Sequence, residues 1–417
     1  MTLSEELNWR GLANQTTYKD LASLDGEPIT FYWGVDPSAD SMTIGNLASA
    51  MVVKSFMKHG HKAVLLVGGA TGMIGDPDGK ADERALKPPE EIARNKAAIT
   101  AQYRQLFGRH DLKIVDNYDW FKGMNYLDFL RDVGKHVPTR QMLARDFVQS
   151  RLGEQGAGIS YAEFSYVLIQ AYDFLQLYKD HGVTLQVCGS DQWGNSIAGV
   201  DLIRRKTGGE AHVFSAPLVV DKTTGEKFGK SEAGAIWLDA NKTSIYKFYQ
   251  FWLNVDDQGV EEYLKVFTEL EEPAIKQIMD EFNDNKGARV AQKRLAYEVT
   301  KLVHGSDQAD KQVRIAEAIV KQDLAGLSDA EVTTLREEIP TAKSAASSSI
   351  ADALLSSGLA SSKTEAQRLL NDNAISVNGQ KVGRENFEQA DFQNGRLLLR
   401  RGKAFKDSAL VEKEQNA

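Results

Sequence analysis

The stretch "ITFYWGVDPSADSMTIGNLASAMVVKSFMKHGHKAVLLVGG" (Ile29–Gly69) decides the fold class of this chain. Its opening residues are apolar and rich in β-forming side chains, which predicts a strand over Ile29–Val35. A helical pattern follows over Asn46–Gly60, whose closing glycine suits a helix C-cap, and a second strand is predicted over His61–Gly69. Strand, helix and strand at this spacing form a βαβ unit, and such units build parallel sheets. We therefore expect an α/β fold with a doubly wound, Rossmann-like parallel sheet.

The rest of the chain divides into regions of different pattern. A long helix is predicted over Tyr161–Gly182, a buried strand over Val183–Gly189, and mostly helix from about Thr243 to Lys321. The stretch "TAKSAASSS" (Thr341–Ser349) is typical of a linker, and two short helices, a strand and an "NGQ" hairpin turn follow it. The predicted domains are a Rossmann-like catalytic domain (1–242), an α-helical domain (243–321), a linker (322–349) and a small α+β C-terminal module (350–417).

Composition and charge limit the possible classes of protein. The 417 residues are 42% hydrophobic and 26% charged, as in globular proteins, and no apolar run approaches the roughly 18 residues of a membrane span. The single Cys188 excludes an intramolecular disulfide and favours a reducing, cytoplasmic location, and no zinc motif can be written. A net charge of −8 argues weakly against a nucleic-acid partner, but "RLLLRRGKAFK" (Arg396–Lys406) holds five basic residues and no acidic one. Such a local patch can bind RNA on an acidic protein.

Glycine-rich and polar segments follow the predicted strands, which is where ligands bind in an open parallel sheet. In "GVDPSADSMTIGN", Gly45 would let a ligand approach the N-terminus of a helix, and an ordinary glycine-containing turn is the alternative. In "VGGATGMIGDPDGKADER" (Val67–Arg84), Asp76 offers a carboxylate at a strand end. Lys80 and Arg84 share a helical face if this segment is helical, and a solvated surface pair is the alternative.

Two further segments contain candidate binding residues. Tyr166, Gln170 and Asp173 fall at i, i+4 and i+7 on a mostly buried helix, which favours a pocket for a polar small molecule or an internal hydrogen-bond network. After the strand "VTLQVCG", Asp191 is placed to accept hydrogen bonds from ribose hydroxyls or to cap the following helix. Cys188, on that strand, is predicted to be a packing residue because no cationic group or histidine adjoins it.

The segment "GEKFGKSE" (Gly225–Glu232) is a polar loop that contains Lys227, Lys230 and Ser231. Such a loop can clamp phosphates, and a flexible surface loop is the alternative. It is not a P-loop, because that pattern requires glycine where Thr224 stands.

Taken in order, these segments resemble those of the class I aminoacyl-tRNA synthetases, and within that class the bacterial-type tyrosyl-tRNA synthetases. "TIGN" (Thr43–Asn46) occupies the place of the HIGH signature, and "KFGKS" (Lys227–Ser231) occupies the place of KMSKS. "FYWGVDPSADS", "GGATGMIGDP", "EFSYVLIQAYDF" and "GSDQWGN" are similar to segments of the tyrosyl enzymes. The resemblance covers nearly the whole chain, and the C-terminal module is similar to the small RNA-binding module that ends these enzymes.

The resemblance implies a role for each matching residue. Those implied to hold L-tyrosine are Tyr32 and Asp173 at the phenol, Asp76, Tyr166 and Gln170 at the ammonium group, and Gln186 and Gln192 at the other end. Those implied to contact ATP or the adenylate are Gly34, Asp36, Gly45, Gly189, Asp191 and Lys230. Those implied to serve the triphosphate in catalysis are Ser38, Thr43, Asn46, Lys80, Arg84, Lys227, Lys230 and Ser231. The RNA-binding residues predicted from the basic stretch are Arg396, Arg400, Arg401 and Lys403.

The resemblance also implies the reaction and the partners. The tyrosine carboxylate would attack the α-phosphate of ATP, pyrophosphate would leave, and the tyrosyl group would pass to the terminal ribose of tRNA(Tyr). ATP would carry Mg²⁺ on its phosphates, with no metal bound by the protein itself. A homodimer with no membrane partner is expected.

The sequence departs from the family pattern in two places. Thr43 and Asn46 stand where histidines are commoner, and although both can donate hydrogen bonds, neither carries charge. Trp33 stands where a small residue near the ribose is usual, and its bulk conflicts with that contact. Two alternatives stay open: a tryptophanyl enzyme, against which Tyr32 and Asp173 argue, and a synthetase-like RNA-binding protein that has lost catalysis.

Overall fold

The computed structural model describes residues 1–77, 86–108, 112–153, 156, 158–225, 228–231, 234–402 and 407–414. The chain forms two compact units. The first comprises Met1–Ser244 with Phe251–Val303, and the second comprises Ile245–Gln250 with His304–Ala417. The helical stretch 243–321, predicted from sequence as one domain, is therefore divided between the two units.

The first unit is built on a six-stranded sheet. Its strands are β1 (Gln15–Thr16), β2 (Thr30–Val35), β3 (Lys62–Val67), β4 (Lys113–Asp116), β5 (Val183–Gly189) and β6 (His212–Ala216). Their order is β1-β6-β5-β2-β3-β4, and every neighbouring pair is parallel except the edge pair of β1 and β6. The chain runs from β2 to β3 and β4 on one side and from β5 to β6 on the other, so a topological switch point lies between β2 and β5. The predicted doubly wound sheet is confirmed.

Helices cover the sheet of the first unit. Those before residue 210 are α1 (Leu3–Trp9), α2 (Ile44–Lys58), α3 (Thr71–Ile74), α4 (Pro89–Phe107), α5 (Tyr118–Phe121), α6 (Tyr126–Asp132), α7 (Thr139–Leu143), α8 (Asp146–Leu152), α9 (Tyr161–His181) and α10 (Trp193–Thr207). Two short strands, β7 (Lys230–Ser231) and β8 (Gly234–Ala235), precede α11 (Ile245–Leu253), whose residues Ile245–Gln250 belong to the second unit. The helices that follow are α12 (Val260–Phe267), α13 (Glu272–Asp284) and α14 (Val290–His304). Within the described residues, no helix is both long enough and apolar enough to cross a bilayer.

Consecutive residues of β2 show why the central strands are mostly apolar. Phe31 contacts Phe56 of α2, with ring centroids 5.1 Å apart, whereas Tyr32 contacts Phe174 of α9 at 5.2 Å. Because successive side chains of a strand point to opposite faces, α2 and α9 cover opposite faces of the sheet. A strand covered on both faces is expected to be mostly apolar, as β2 is after its first residue, Thr30.

The second unit contains a five-stranded sheet. Its strands are β9 (Thr341–Ser344), β10 (Ile375–Val377), β11 (Gln380–Val382), β12 (Arg396–Arg401) and β13 (Ser408–Lys413), in the order β11-β10-β12-β13-β9. Its helices are α15 (Ser306–Lys321), α16 (Asp329–Glu338), α17 (Ile350–Ser356) and α18 (Lys363–Asn371). The predicted "NGQ" hairpin joins β10 to β11 through Asn378 (φ 45°) and Gly379 (φ 81°). Positive φ at both central residues is the requirement of a type I′ turn.

The linker predicted over 322–349 is wrong for half of its length. Its first half contains α16, which Ser328 caps by accepting the backbone N–H of Glu331. Its second half contains β9, which pairs in parallel with β13, and Ala342 and Ser344 face the interior. Small Ala and Ser side chains have no strong preference of their own, so the partner strand decides that this stretch is extended.

Candidate active site

The sequence-predicted binding residues of the first unit surround one cavity at the switch point. The cavity has a volume of about 290 Å³ and lies at the carboxyl ends of β2 and β5. The predicted residues that line it are Tyr32, Gly34, Asp36, Ser38, Thr43, Gly45, Asn46, Asp76, Tyr166, Gln170, Asp173, Gln186, Gly189, Asp191 and Gln192. Open α/β sheets bind ligands at this point, because the loops on either side diverge there and leave a crevice.

Three buried polar atoms in this cavity point to a polar ligand. Within the described residues, Tyr32 Oη, Gln170 Oε1 and Gln186 Oε1 have no hydrogen-bond partner. The Tyr32 side chain is 2% exposed and that of Gln186 is 3% exposed. Leaving such atoms unpaired is costly, so a ligand that pairs with them gains affinity.

Asp173 is the most buried of the carboxylates that line the cavity, and the part of the cavity beside it is its deep end. Its carboxylate accepts hydrogen bonds from Asn117 Nδ2 at 3.0 Å and from Trp120 Nε1 at 2.9 Å. Burial nevertheless dominates and raises the pKa of Asp173 to about 8, while the two donors act in the opposite direction. Tyr32 lies close enough for the Asp173 charge to contribute, after burial, to a raised pKa of the Tyr32 hydroxyl. The deep end of the cavity can therefore both donate to and accept from a hydroxyl group.

A second carboxylate, Asp36, is held by two hydroxyl groups. Thr71 Oγ1 donates to Asp36 Oδ1 at 2.5 Å, and Tyr166 Oη donates to Asp36 Oδ2 at 2.7 Å. Burial, followed by the Asp36 charge, raises the pKa of Tyr166. Gly68 makes the arrangement possible, because a Cβ at that position would lie 2.1 Å from Asp36 Oδ1. Tyr166, predicted to contact an ammonium group, is thus also tied to Asp36.

The "TIGN" stretch forms the N-terminus of α2. Asn46 Oδ1 accepts the backbone N–H of Thr43 at 2.9 Å and the Thr43 hydroxyl at 3.1 Å. This reciprocal cap places the first helical residue at Ile44 rather than at the predicted Asn46. It also directs the oxygen of Asn46 inward, so the amide Nδ2 is the atom of that side chain left to donate to a ligand. Gly45 lies between these two residues and lines the cavity.

Trp33 and Cys188 also line the cavity, and both pack against protein. The Trp33 ring is 4% exposed and lies 5.4 Å from Tyr103 and 6.2 Å from Phe107, both on α4. Cys188 is buried with its Sγ 3.5 Å from Ser196 Oγ, and burial raises the pKa of its thiol to about 12. A thiol with this pKa stays protonated, in agreement with the predicted packing role.

The predicted phosphate-binding cations cannot be placed. Lys80, Arg84 and Lys227 lie outside the described residues, and Lys230 and Ser231 are described only as the backbone of β7. The neighbouring Phe228 is buried, and its ring stacks on that of Tyr263 with centroids 4.3 Å apart. A Cβ on Gly229 would lie 2.5 Å from Ile44 Cγ1, so the backbone at Gly229 passes directly over the start of α2.

Sequence reasoning missed three polar residues that organise the cavity: Thr71, Asn117 and Trp120. Asn117 is fully buried and donates to both Thr71 Oγ1 and Asp173 Oδ2, so it joins the two carboxylate groups of the site. One signal was present, because Asn117 directly follows β4 and so lies at the carboxyl end of a parallel strand. Trp120 gave no such signal, because a tryptophan on a short amphipathic segment is ordinarily a packing residue.

In the second unit, the predicted RNA-binding arginines of β12 prove to be largely internal. Arg396 donates to the carbonyl of Leu327, and Arg400 donates to Ser408 Oγ and the carbonyl of Ile319. Both side chains are buried, and burial lowers the pKa of Arg400. The prediction is therefore wrong for these two, because a guanidinium directed at backbone carbonyls is not presented to RNA. Arg401 is half-exposed and donates to the carbonyl of Leu359, and Lys403 lies outside the described residues.

Comparison with known proteins agrees with this geometry. Residues 24–321 match the family described as tRNA synthetases class I (W and Y), and residues 331–406 match the Tyrosine--tRNA ligase SYY-like C-terminal domain. The chain is 44% identical to the tyrosine--tRNA ligase of Bacillus caldotenax, over 97% of this chain and 98% of that protein. It is 42% identical to the enzyme of Staphylococcus haemolyticus, over 96% and 97%.

The solved structures lead to the same family. A C-terminally truncated mitochondrial tyrosyl-tRNA synthetase of Aspergillus nidulans superimposes with a TM-score of 0.68 at 33% identity. The match covers 76% of this chain and 94% of the fungal one. Sequence identity above 40% over nearly the full length, together with both family matches, leaves one conclusion. The chain belongs to the tyrosine–tRNA ligase family of class I aminoacyl-tRNA synthetases.

Proposed function

We propose that this protein is a tyrosine–tRNA ligase, which activates L-tyrosine with ATP and transfers the tyrosyl group to the 3′-terminal ribose of tRNA(Tyr). The observation that carries the specificity is the deep end of the cavity, where the unpaired Tyr32 hydroxyl lies beside the buried Asp173. A phenol can donate to Asp173 and accept from Tyr32. Phenylalanine would leave the Tyr32 hydroxyl unpaired and would offer Asp173 no donor, and a site built to hydrogen-bond a hydroxyl strongly rejects the analogue that lacks it.

The other polar groups of the cavity are proposed to hold the remaining parts of the substrates. Asp76, Tyr166 and Gln170 would bind the ammonium group of tyrosine, and Gln186 and Gln192 would bind its other end. The residues proposed to contact ATP or the adenylate are Gly34, Asp36, Gly45, Gly189, Asp191 and Lys230. Gly34, Asp36, Gly189 and Asp191 lie together at the carboxyl ends of β2 and β5, which supports their assignment to ATP or the adenylate.

The first chemical step is attack of the tyrosine carboxylate on the α-phosphate of ATP, with pyrophosphate as the leaving group. No nucleophile from the protein is required, so the task is to align two anions and to stabilise charge as it moves to pyrophosphate. The residues proposed for this are Ser38, Thr43, Asn46, Lys80, Arg84, Lys227, Lys230 and Ser231. Thr43 and Asn46 are neutral, so the lysines and the arginine would supply the charge, and Mg²⁺ would enter with the ATP phosphates.

Amino-acid-dependent exchange of pyrophosphate into ATP tests the proposal. We expect exchange with tyrosine and not with phenylalanine or tryptophan. Exchange with tryptophan would instead favour the tryptophanyl alternative. Absence of exchange with all three, in folded protein that still binds tRNA, would favour an RNA-binding protein without catalysis.

We further propose a homodimer with a cytoplasmic location. Three apolar side chains around the first turns of α6 and α9 are strongly exposed: Tyr126 (59%), Leu127 (74%) and Tyr161 (60%). The hydroxyls of Tyr126 and Tyr161 lie 3.3 Å apart, so these residues form one patch that a second copy of the chain would cover. Sedimentation velocity should detect a dimer that Leu127→Glu converts to a monomer; an unchanged dimer would exclude this patch. The buried, reduced Cys188 supports the proposed location.

A further inference from the structure

A chain of side-chain hydrogen bonds leads from the cavity to the start of α10 and beyond it. Gln192 Nε2 donates to Asp76 Oδ2, and Gln192 Oε1 accepts from Asn195 Nδ2 at 3.1 Å. Asn195 Oδ1 in turn accepts from a terminal nitrogen of Arg145. Asn195 is only 1% exposed, and a Cβ on Gly194 would lie 3.1 Å from Arg145 Nη2, so the guanidinium lies directly against this helix.

The two ends of this chain determine the orientation of both amides between them. A carboxylate can only accept hydrogen bonds, so Gln192 must turn its NH₂ group toward Asp76. A guanidinium can only donate, so Asn195 must turn its oxygen toward Arg145. The remaining Asn195 NH₂ group then meets the Gln192 oxygen, and every contact joins a donor to an acceptor. If either amide were turned the other way, a donor would face a donor or an acceptor would face an acceptor.

We propose that Asn195 and Arg145 are positioning residues for amino-acid binding, which keep the Gln192 amide oriented so that Asp76 is held as an ammonium acceptor. The inference rests on the proposed function, in which Asp76 receives the ammonium group of tyrosine. Neither residue reaches the substrate; both act through Gln192. Their effect should therefore be largest for ligands that carry an ammonium group.

The substitution Asn195→Asp reverses the polarity of the chain without changing its shape. An aspartate at this position still accepts from Arg145, but it also requires a donor from Gln192. The Gln192 amide must then rotate and present its oxygen to Asp76, where two acceptors oppose each other. The negative charge of the new carboxylate would by itself strengthen the binding of an ammonium group. Weaker binding in this variant would therefore distinguish the proposed reorientation of Gln192 from a simple effect of charge.

Equilibrium binding of three probes to the full chain tests this proposal. The probes are L-tyrosine, tyramine, which keeps the ammonium group, and 3-(4-hydroxyphenyl)propionate, which lacks it. In Asn195→Asp we expect the Kd values of tyrosine and tyramine to rise on the order of tenfold, and that of the propionate to change less than about twofold. Arg145→Met should give the same pattern with a smaller rise, roughly threefold, and Arg145→Lys should restore part of it.

Ser196→Ala is the matched control. Ser196 is fully buried on the same helical turn and donates to the backbone carbonyl of Gln192 at 2.9 Å, but its side chain takes no part in the chain of amides. It should leave the ratio of the three Kd values unchanged.

The outcomes separate this inference from the proposed function. Wild-type protein that binds neither tyrosine nor tyramine would overturn the proposed function, and the inference with it. Wild-type protein that binds both, beside Asn195→Asp and Arg145→Met variants that match it, would overturn the inference alone. Equal weakening of all three probes would mean only a structural role, and tighter tyramine binding would mean a plain charge effect; either result overturns the inference.

Discussion

Asp173 is placed to bind a hydroxyl group of a ligand, although its burial disfavours the ionised carboxylate in the empty protein. It is 2% exposed, and its two hydrogen-bond donors, Asn117 and Trp120, do not fully offset the loss of water around the carboxylate. Its pKa is consequently raised to about 8. A carboxyl group with this pKa is mostly protonated at pH 7, so its charge state can change when a ligand enters.

Tyrosine binding should therefore release close to one proton per site at about pH 7. The phenol donates to the Asp173 carboxylate, which favours the ionised form and lowers the raised pKa. The release should shrink as the pH rises above about 8, where the empty site is already ionised. Calorimetric titrations in two buffers of different ionisation enthalpy measure it, with Asp173→Asn as the control that removes the titrating group. Identical heats in both buffers at pH 7 would contradict the prediction.

His61 should make stability depend on pH. Its Nδ1 accepts the backbone N–H of Ile29 at 3.2 Å and its Nε2 donates to the carbonyl of Leu24 at 3.0 Å, so the buried ring is neutral and its pKa is lowered, chiefly by burial. Because the folded pKa lies below the unfolded value, the stabilisation is complete above pH about 6.5 and is lost as the pH falls below it.

The check compares apparent melting temperatures of wild type and His61→Gln at pH 7.5 and pH 5.5. The variant should be less stable than wild type by about 1 kcal/mol in the free energy of unfolding at pH 7.5, and by less at pH 5.5. The difference shrinks because the neutral His61 ring no longer stabilises the wild type fully at the lower pH. An equal loss at both values would exclude titration of this ring.

At the scale of elements, Arg10 explains why the helices after residue 250 pack with the first unit. Its guanidinium is 4% exposed and donates to Glu6 of α1, at 2.7 Å. It also donates to the carbonyls of Lys265 and Thr268, at 2.7 and 3.0 Å, and to that of Leu270, at 2.9 Å. The last carbonyls of a helix lack partners within it, so this one side chain both caps α12 and ties it to α1.

Replacing Arg10 with Met should lower the free energy of unfolding by about 3–5 kcal/mol, because the buried Glu6 and three carbonyls lose their donor. Urea unfolding followed by intrinsic tryptophan fluorescence measures the loss. The double variant Glu6→Leu with Arg10→Met should recover part of it, since no unpaired charge then remains. A loss below about 1 kcal/mol in the single variant would mean that the cap contributes little.

At the scale of the whole molecule, a net charge of −8 is combined with a task that requires contact with RNA. The arginines of β12 donate mainly to backbone carbonyls inside the second unit. The side chains of this unit that can contact RNA are therefore exposed lysines and arginines on other elements. Lys363 and Arg368 on α18 and Lys381 on β11 are exposed. Lys343 on β9 is also exposed, but β9 and β11 are opposite edges of the five-stranded sheet.

Changing Lys363, Arg368 and Lys381 together to Glu should raise the KM for tRNA in aminoacylation by tenfold or more and leave tyrosine-dependent pyrophosphate exchange unchanged. The dependence of tRNA affinity on salt should weaken as well, because about one phosphate contact is lost for each cation removed. Lys343→Glu, on the opposite edge, is the control and should leave the KM within about twofold of wild type. Unchanged aminoacylation of tRNA in the triple variant would show that α18 and β11 do not form the RNA-binding surface.

The sequence by itself determined the strands β2, β3 and β5 with the helices α2 and α9, and the polar residues that follow those strands. Both follow from local rules: apolar periodicity selects helix or strand, and a parallel sheet places its strand ends together. Asp76 and Asp191, which follow β3 and β5, could therefore be named as candidates in advance, whereas Tyr32 and Gln186 within the strands were named only through the resemblance to the family. The type I′ hairpin at Asn378 and Gly379 could also be named, because two adjacent residues decide that turn.

Only the tertiary structure decided which polar groups find each other across long separations. Asn117 donates to Asp173, and Arg145 donates to Asn195. No local sequence pattern indicates that the two residues of either pair are in contact. The same limit explains the two wrong predictions. Arg400 was predicted to contact RNA, but its guanidinium is buried and donates to the carbonyl of Ile319. "TAKSAASSS" was predicted to be a linker, but its first four residues form β9 because β13 pairs with them. Local preference is weak for small and polar residues, so burial and hydrogen-bond partners supplied by distant parts of the chain decide what they do.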